Sequence, residues 1–225
     1  MKRLTVLFLF SYLSLINCGS GPSQDLSGLL LLLAGGGGNS FHCGQTVANP
    51  VSFASANGNF VDETSLLTAL GGDNCSTPSL TNNENGTVID ATNKFLWTLC
   101  VIDGNTGSPH TYSTPNCGVF TGADVGYDQS GGATVCSNLT YAGHSDWILP
   151  DAIQLHVLRT ASTPFALGAF GSANNSIADG GTPVWSSTII SSSLGITPLY
   201  EANNVFQAFT VTSVSQAIVI CMAKL

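Results

Sequence analysis

The sequence predicts an α+β domain with antiparallel strand pairing, and three observations carry that prediction. Residues 87–90 and 94–102 look like two strands of a hairpin that turns at Thr92-Asn93. Asp151-Ala152-Ile153-Gln154 is a capping-box pattern, with Gln three places after Asp, and opens a helix. Ala217-Ile218-Val219-Ile220-Cys221-Met222 is a continuous apolar run of the kind found in a central buried strand.

Composition sets the outer limits. Of 225 residues, 5 are Lys or Arg and 13 are Asp or Glu, a formal net charge of −8. Charged residues make up 8% of the chain, against about 25% in an ordinary domain. A hydrophobic fraction of 44% sets the chain apart from disordered polymers despite its 25 glycines. Binding to nucleic-acid phosphates needs clustered Lys and Arg, and the sequence has no such cluster. A basic membrane-surface helix is excluded for the same reason.

Residues 1–17 are expected to be a signal peptide. Lys2-Arg3 precedes an apolar stretch over residues 4–16, broken only by Thr5, Ser11, Tyr12 and Ser14. That is the size of a signal-peptide core and too short to span a bilayer. The stretch leads into Asn17-Cys18-Gly19-Ser20. A Cys directly after such a run resembles a bacterial lipobox, which implies lipid on the Cys18 sulfur and cleavage just before it. Asn17 is looser than the small residue usual at that place, a tolerance that resembles spirochaetal lipoproteins. More than one acyl chain on Cys18 gives a stable anchor. Without residues 1–17 the basic residues are Lys94, Arg159 and Lys224, three against thirteen acids, a side-chain charge of −10.

Residues 18–40 read as the lipid anchor and a tether, with Gly, Ser and Pro at its start and Gly35 to Gly38 at its end. The Leu29-Leu30-Leu31-Leu32-Leu33-Ala34 run within it is too short to cross a membrane. A poly-Leu then poly-Gly tether is again similar to spirochaetal lipoproteins. Residues 41–79 form a small extension. There Asp62-Glu63-Thr64-Ser65 precedes Leu66, Leu67, Ala69 and Leu70, and Gly71-Gly72 follows, which predicts a short capped helix. Cys43 and Cys75 flank this piece and are placed to close it.

The main domain is expected over residues 80–225. Asn82-Asn83-Glu84-Asn85-Gly86 is a turn before the hairpin, and residues 103–131 are a Gly, Ser, Asn and Pro-rich loop. Helix signals return over 133–139 and again after Asp151. In that second helix Ile153, Leu155, Val157, Leu158 and Ala161 make a broad apolar face, with His156 and Arg159 on the opposite side. Residues 182–190, 204–212 and 216–223 read as later strands.

Three blocks stand in a recognisable order. They are Gly86-Thr87-Val88-Ile89-Asp90 with Leu96-Trp97-Thr98-Leu99-Cys100; Cys136-Ser137-Asn138-Leu139 with Gly143-His144-Ser145-Asp146-Trp147-Ile148-Leu149-Pro150; and Trp185-Ser186-Ser187-Thr188 with Cys221 in the last strand. Over about residues 80–225 this resembles the Lcl C-terminal domain family of bacterial exported proteins. The resemblance implies a C-type-lectin-like fold with an antiparallel sheet and two helices. It marks Trp97, Trp147, Pro150, Trp185 and Ser186 as structural motif residues. Ile148 stands where the family commonly has Arg, and Asp151 where it commonly has Thr.

Beyond Cys18, six cysteines in an exported chain suggest three disulfides, with 15 pairings open on the sequence alone. The resemblance implies Cys136 with Cys221, from first helix to last strand, which leaves Cys100 with Cys117 across a loop and Cys43 with Cys75 around the extension. Zinc is the rival use of these thiols, with His110 or His144, but no Cys-x-x-Cys or His-x-x-x-His spacing supports it. Asn83, Asn85 and Gly86 match a calcium loop only in part, since Thr81 and Thr92 replace its acids. Asp124 and Asp128 are read as solvated acids. No metal and no cofactor is expected.

Catalysis has little support. Ser145, His144 and Asp146 are neighbours in sequence, but a triad must converge in space, and no Gly-x-Ser-x-Gly is present. The three tryptophans are expected in the core rather than stacked on sugars. The expected function is therefore that of a non-enzymatic lipoprotein, lipid-anchored in a bacterial outer membrane. It displays a lectin-like recognition domain at the cell surface, as an adhesin for a host or environmental protein or a neutral glycan. The long polar loops 103–131 and 162–183 are the expected contact regions. The rival readings are a structural lipoprotein facing the periplasm and a hydrolase built around Ser145.

Overall fold

The computed structural model describes residues 41–53, 60–61, 63–72, 74–113, 116–117, 126–160, 184–191, 194–198, 206–211 and 217–225. The segments expected to be signal peptide and tether, residues 1–40 with Cys18, lie outside these residues, as do Asp62, Asp124 and residues 162–183.

The extension contributes β1 (Phe60–Val61) and α1 (Glu63–Ala69). Two backbone hydrogen bonds end α1, from Gly72 N to Leu67 O at 2.7 Å and from Gly71 N to Thr68 O at 3.1 Å. This is a Schellman stop, and it needs a left-handed residue at its turn. Gly71 has φ 105° and Gly72 φ 82°, and a Cβ on Gly71 would run into the Thr46 hydroxyl.

The hairpin forms where the sequence sets it, but its second strand is shorter. β2 (Leu80–Asn82), β3 (Thr87–Asp90) and β4 (Phe95–Thr98) pair antiparallel, with Val88 opposite Trp97 and Asp90 opposite Phe95. Leu99 N still donates to Gly86 O at 2.8 Å beside β3, but residues 100–102 leave it because their partners lie elsewhere. Ile102 N bonds to Val219 O and His110 N to Val101 O, while Cys100 is bridged to Cys117. The ribbon β5 (Tyr112–Ser113) and β6 (Asn116–Cys117) follows.

The helix expected over 133–139 starts earlier, as α2 (Gln129–Asn138). Asp128 is its N-cap and accepts the Gly131 N–H, so this acid is a cap, not a free solvated group. Gly131-Gly132 hides the helix in the sequence but serves packing. A Cβ on Gly132 would stand 2.9 Å from a Val219 methyl, so glycine lets α2 lie close on the last chain segment. The next helix, α3 (Ala152–Thr160), opens with the expected reciprocal capping box. Gln154 N donates to Asp151 Oδ1 at 2.8 Å, and Asp151 N donates to Gln154 Oε1 at 2.9 Å.

One expectation about α3 is overturned. Every residue from 152 to 158 is buried, and His156 is only 6% exposed, so it does not sit on a solvated side. The reason is that the extension packs on α3. Val51, Leu66 and Leu70 form one cluster with Ala152, Ile153 and Ile190, while Leu155 and Leu158 join Val88, Phe95 and Trp97 in another.

The third group of strands is also redistributed. β7 (Ile189–Ser191), β8 (Leu194–Pro198) and β9 (Phe206–Thr210) form an antiparallel sheet with β1, in the order β1-β9-β8-β7. The expected strand over 182–190 begins only at Ile189, because the backbone before it is engaged by side chains and loops. Gln129 Nε2 donates to Ser186 O at 2.7 Å and to Thr188 O at 3.0 Å, and Ser187 N donates to Pro150 O at 2.8 Å.

The last segment ends in β10 (Met222–Lys224), which pairs with β4 in a sheet of order β10-β4-β3-β2. Residues 217–223 are all at most 2% exposed. Ile218, Ile220 and Met222 face one core cluster, and Ala217, Val219, Cys221 and Ala223 face the other. This strict alternation with both faces buried is what a central segment requires. Its carbonyls are taken from both sides: Thr98 and Ile102 donate to Cys221 and Val219, and Trp185 and Ile148 donate to Ile218 and Met222. The fold is thus mixed α+β with antiparallel sheets, and residues Ser40–Leu225 form one compact unit.

Candidate functional site

Three disulfides take six cysteines. They join Cys43 to Cys75, Cys100 to Cys117 and Cys136 to Cys221. No thiolate is therefore left at these positions to hold zinc, and no group of three His, Cys, Asp or Glu is placed to hold a metal among the described residues. The Asn82–Gly86 turn spends its amides on itself. Asn85 Oδ1 accepts the Thr87 N–H and hydroxyl, Asn82 Oδ1 accepts the Glu84 N–H, and Asn83 Nδ2 donates to the Thr87 hydroxyl.

The motif residues build the interior. Trp97, Trp147 and Trp185 are 0%, 1% and 0% exposed, so none offers a ring face to a sugar. Trp185 Nε1 donates to Tyr127 O at 2.7 Å, and Trp97 packs edge-on against Phe95. Pro150 and Ser186 are buried as well.

Two polar clusters, unforeseen in the sequence, lock the extension to the domain. In the first, the Asp90 carboxylate is fully buried. It accepts the N–H groups of Ser79, Thr92 and Asn93, and the Asn93 side-chain amide at 2.7 Å. Asn93 in turn accepts from Ser76 N and donates to Ser76 O, both at 2.8 Å. In the second, Asp151 Oδ2 accepts Gln45 N at 2.8 Å, Gln154 Nε2 reaches Cys43 O, and Thr188 Oγ1 donates to Gln45 Oε1 at 2.7 Å.

Desolvation raises the Asp151 pKa above the usual carboxylate value, and the backbone N–H groups of Gln154, Gln45 and Ile153 offset it only in part. The folded state therefore holds this proton to a higher pH than the unfolded chain does. Asp151 thus adds stability as pH falls through its raised pKa, and its charge costs stability at neutral pH. Asp103 has the opposite sign. The Asn105 N–H holds its pKa low, so its contribution is lost as pH falls. The difference in urea midpoint between wild type and Asp151→Asn is expected to grow in favour of wild type on acidification from pH 7 toward 4. A pH-independent difference would contradict this.

Outside the interior, chemistry-bearing side chains gather at one surface corner. Tyr141 and His144 exchange both backbone hydrogen bonds, at 3.0 and 2.9 Å, around Ala142 (φ 49°) and Gly143 (φ 84°). Two positive φ angles make this a type I′ hairpin turn, with some strain at Ala142. The buried Trp147 fastens it, because its Nε1 donates to both the Tyr141 and His144 carbonyls, at 3.3 and 3.2 Å. The Tyr141 and His144 rings pack on the Trp147 ring, with centroids 6.2 and 6.1 Å away. Tyr141 Oη donates to Asn85 O at 3.3 Å, and its partial burial raises its pKa.

His144 Nδ1 lies 3.3 Å from Asp146 Oδ1, with both side chains more than a third exposed. Lys224 N donates to the other Asp146 oxygen. Ser145 is exposed and makes no hydrogen bond to His144, so these three neighbours do not form a nucleophile relay. Tyr141 had a local signal in the sequence, the two-residue spacing Tyr141-Ala142-Gly143-His144. Compared with known proteins, the chain matches no family model, no curated protein and no solved structure.

Proposed function

We propose that this chain is an outer-membrane lipoprotein, anchored through Cys18, that displays a C-type-lectin-like recognition domain at the cell surface and performs no catalysis. The observation that carries the reading is the cysteine arrangement. Of seven cysteines, six are taken by the three bridges, which leaves Cys18, directly behind a signal-length apolar run. A disulfide-stapled body suits an oxidising compartment. The antiparallel sheet, the pair α2 and α3, and the bridge from α2 to Cys221, the residue just before β10, support the lectin-like assignment. The Tyr141–His144 turn, where the His144 and Asp146 side chains are more than a third exposed, supports recognition over a purely structural role.

Lipidation is tested by growing cells on an alkyne-tagged palmitate. The mature protein is expected to carry the tag and to sediment with membranes. Cys18→Ala is expected to lose both properties. A tag retained by Cys18→Ala, or an untagged wild type in the soluble fraction, would contradict the anchor.

A further inference from the structure

The geometry points to the Tyr141–His144 turn as a binding site for an uncharged carbohydrate, and this rests on the recognition reading above. Tyr141 and His144 are a hydrogen-bonded pair across a two-residue turn, so their side chains leave the same face side by side. Both rings rest on Trp147, whose indole N–H ties down both carbonyls beneath them. The pair is thereby held ready before any ligand arrives, which removes much of the ordering cost of binding.

The definite acceptor beside the rings is the Asp146 carboxylate. His144 turns Nδ1 toward that carboxylate, 3.3 Å away, which leaves its other ring nitrogen to face a ligand. Two rings flanked by a carboxylate match a ligand that presents a C–H face and hydroxyl donors, which is a sugar ring. The charge balance favours an uncharged sugar over a sulfated or uronic one. The sequence has 13 acids against 5 basic residues, and Asp146 itself stands in the site. Trp147 is 1% exposed and serves as the base of the platform, so contact falls to Tyr141 and His144.

The test uses the mature full-length protein in detergent micelles. The probes are uncharged tetrasaccharides of glucose, galactose, mannose and N-acetylglucosamine, followed by titration calorimetry. Wild type is expected to bind at least one of them. Tyr141→Ala and His144→Ala are each expected to weaken that binding by about tenfold or more, while Tyr141→Phe, which keeps the ring, and Ser145→Ala stay within about twofold. Thermal melts check that each variant folds, and His144→Ala decides the matter if Tyr141→Ala does not.

Sugar binding that survives both alanine variants would overturn this site while leaving the recognition reading intact. Binding of none of the four probes, or binding only of a basic peptide at this corner, would overturn the carbohydrate assignment. Absence of the protein from the cell surface would instead remove the recognition reading itself.

Discussion

Asp90→Ala is expected to lower the unfolding free energy by about 3–4 kcal/mol, several times the effect of an ordinary surface change. The carboxylate is 0% exposed and accepts four hydrogen bonds, from the backbone of Ser79, Thr92 and Asn93 and from the Asn93 amide. Alanine leaves those donors without acceptors at the point where the β3–β4 turn meets the extension. Each buried donor left unmet costs about 1–3 kcal/mol, reduced where water enters. Asn93→Ala is expected to cost a similar amount, since Asn93 spends its amide on Asp90 and on both backbone groups of Ser76. The double variant is expected to cost little more than either single one, because both remove the same network. Urea titrations of the four proteins check this. Additive losses would show that the two residues act separately.

The second large effect concerns Cys136 and Cys221. Replacing both with alanine is expected to cost about 4–5 kcal/mol, because the bridge closes a long loop in the unfolded chain. The two residues are 85 apart in sequence, against 17 for Cys100 and Cys117. On the same chain-entropy relation the shorter bridge contributes about 3 kcal/mol. Location adds to the difference. Both sulfurs lie in the cluster with Trp147, Trp185 and Val219, and neither cysteine is exposed. Differential scanning calorimetry of the two double-alanine variants compares them directly. An equal or larger loss from Cys100 and Cys117 would contradict the ranking.

Local signals were the legible ones. The Asp151–Gln154 capping box and the Gly71-Gly72 stop depend on residues within one turn, so the sequence carries them whole. The burial of residues 217–223 was legible because an unbroken apolar run leaves few other fates. What stayed hidden depends on contacts far apart in the chain. His156 looks polar on a helical projection and is buried because Val51, Leu66 and Leu70 cover the adjoining face of α3. The Trp185–Thr188 stretch has strand-forming residues, yet its carbonyls are held by Gln129, which lies nearly 60 residues earlier.

β8 contains Gly195 and Pro198, which argue against a strand until its neighbours β7 and β9 are known. At the candidate site the sequence offered His144, Ser145 and Asp146 as neighbours but not their geometry. Tyr141 carried only a muted turn signal, because Ala142 occupies a position where Asn or Gly is usual. Asp90 and Asn93, the strongest polar anchors, read as an ordinary turn because Ser76 and Ser79, their partners, are far enough upstream to give no local pattern.

Where the domain resides decides most directly between surface recognition and a structural role in the envelope. Protease added to intact cells, with loss followed by antibody and a periplasmic protein as control, addresses that in one experiment. Display at the surface predicts that the domain is digested while the control survives. Protection until the cells are lysed would contradict surface recognition and place the domain on the inner side of the envelope.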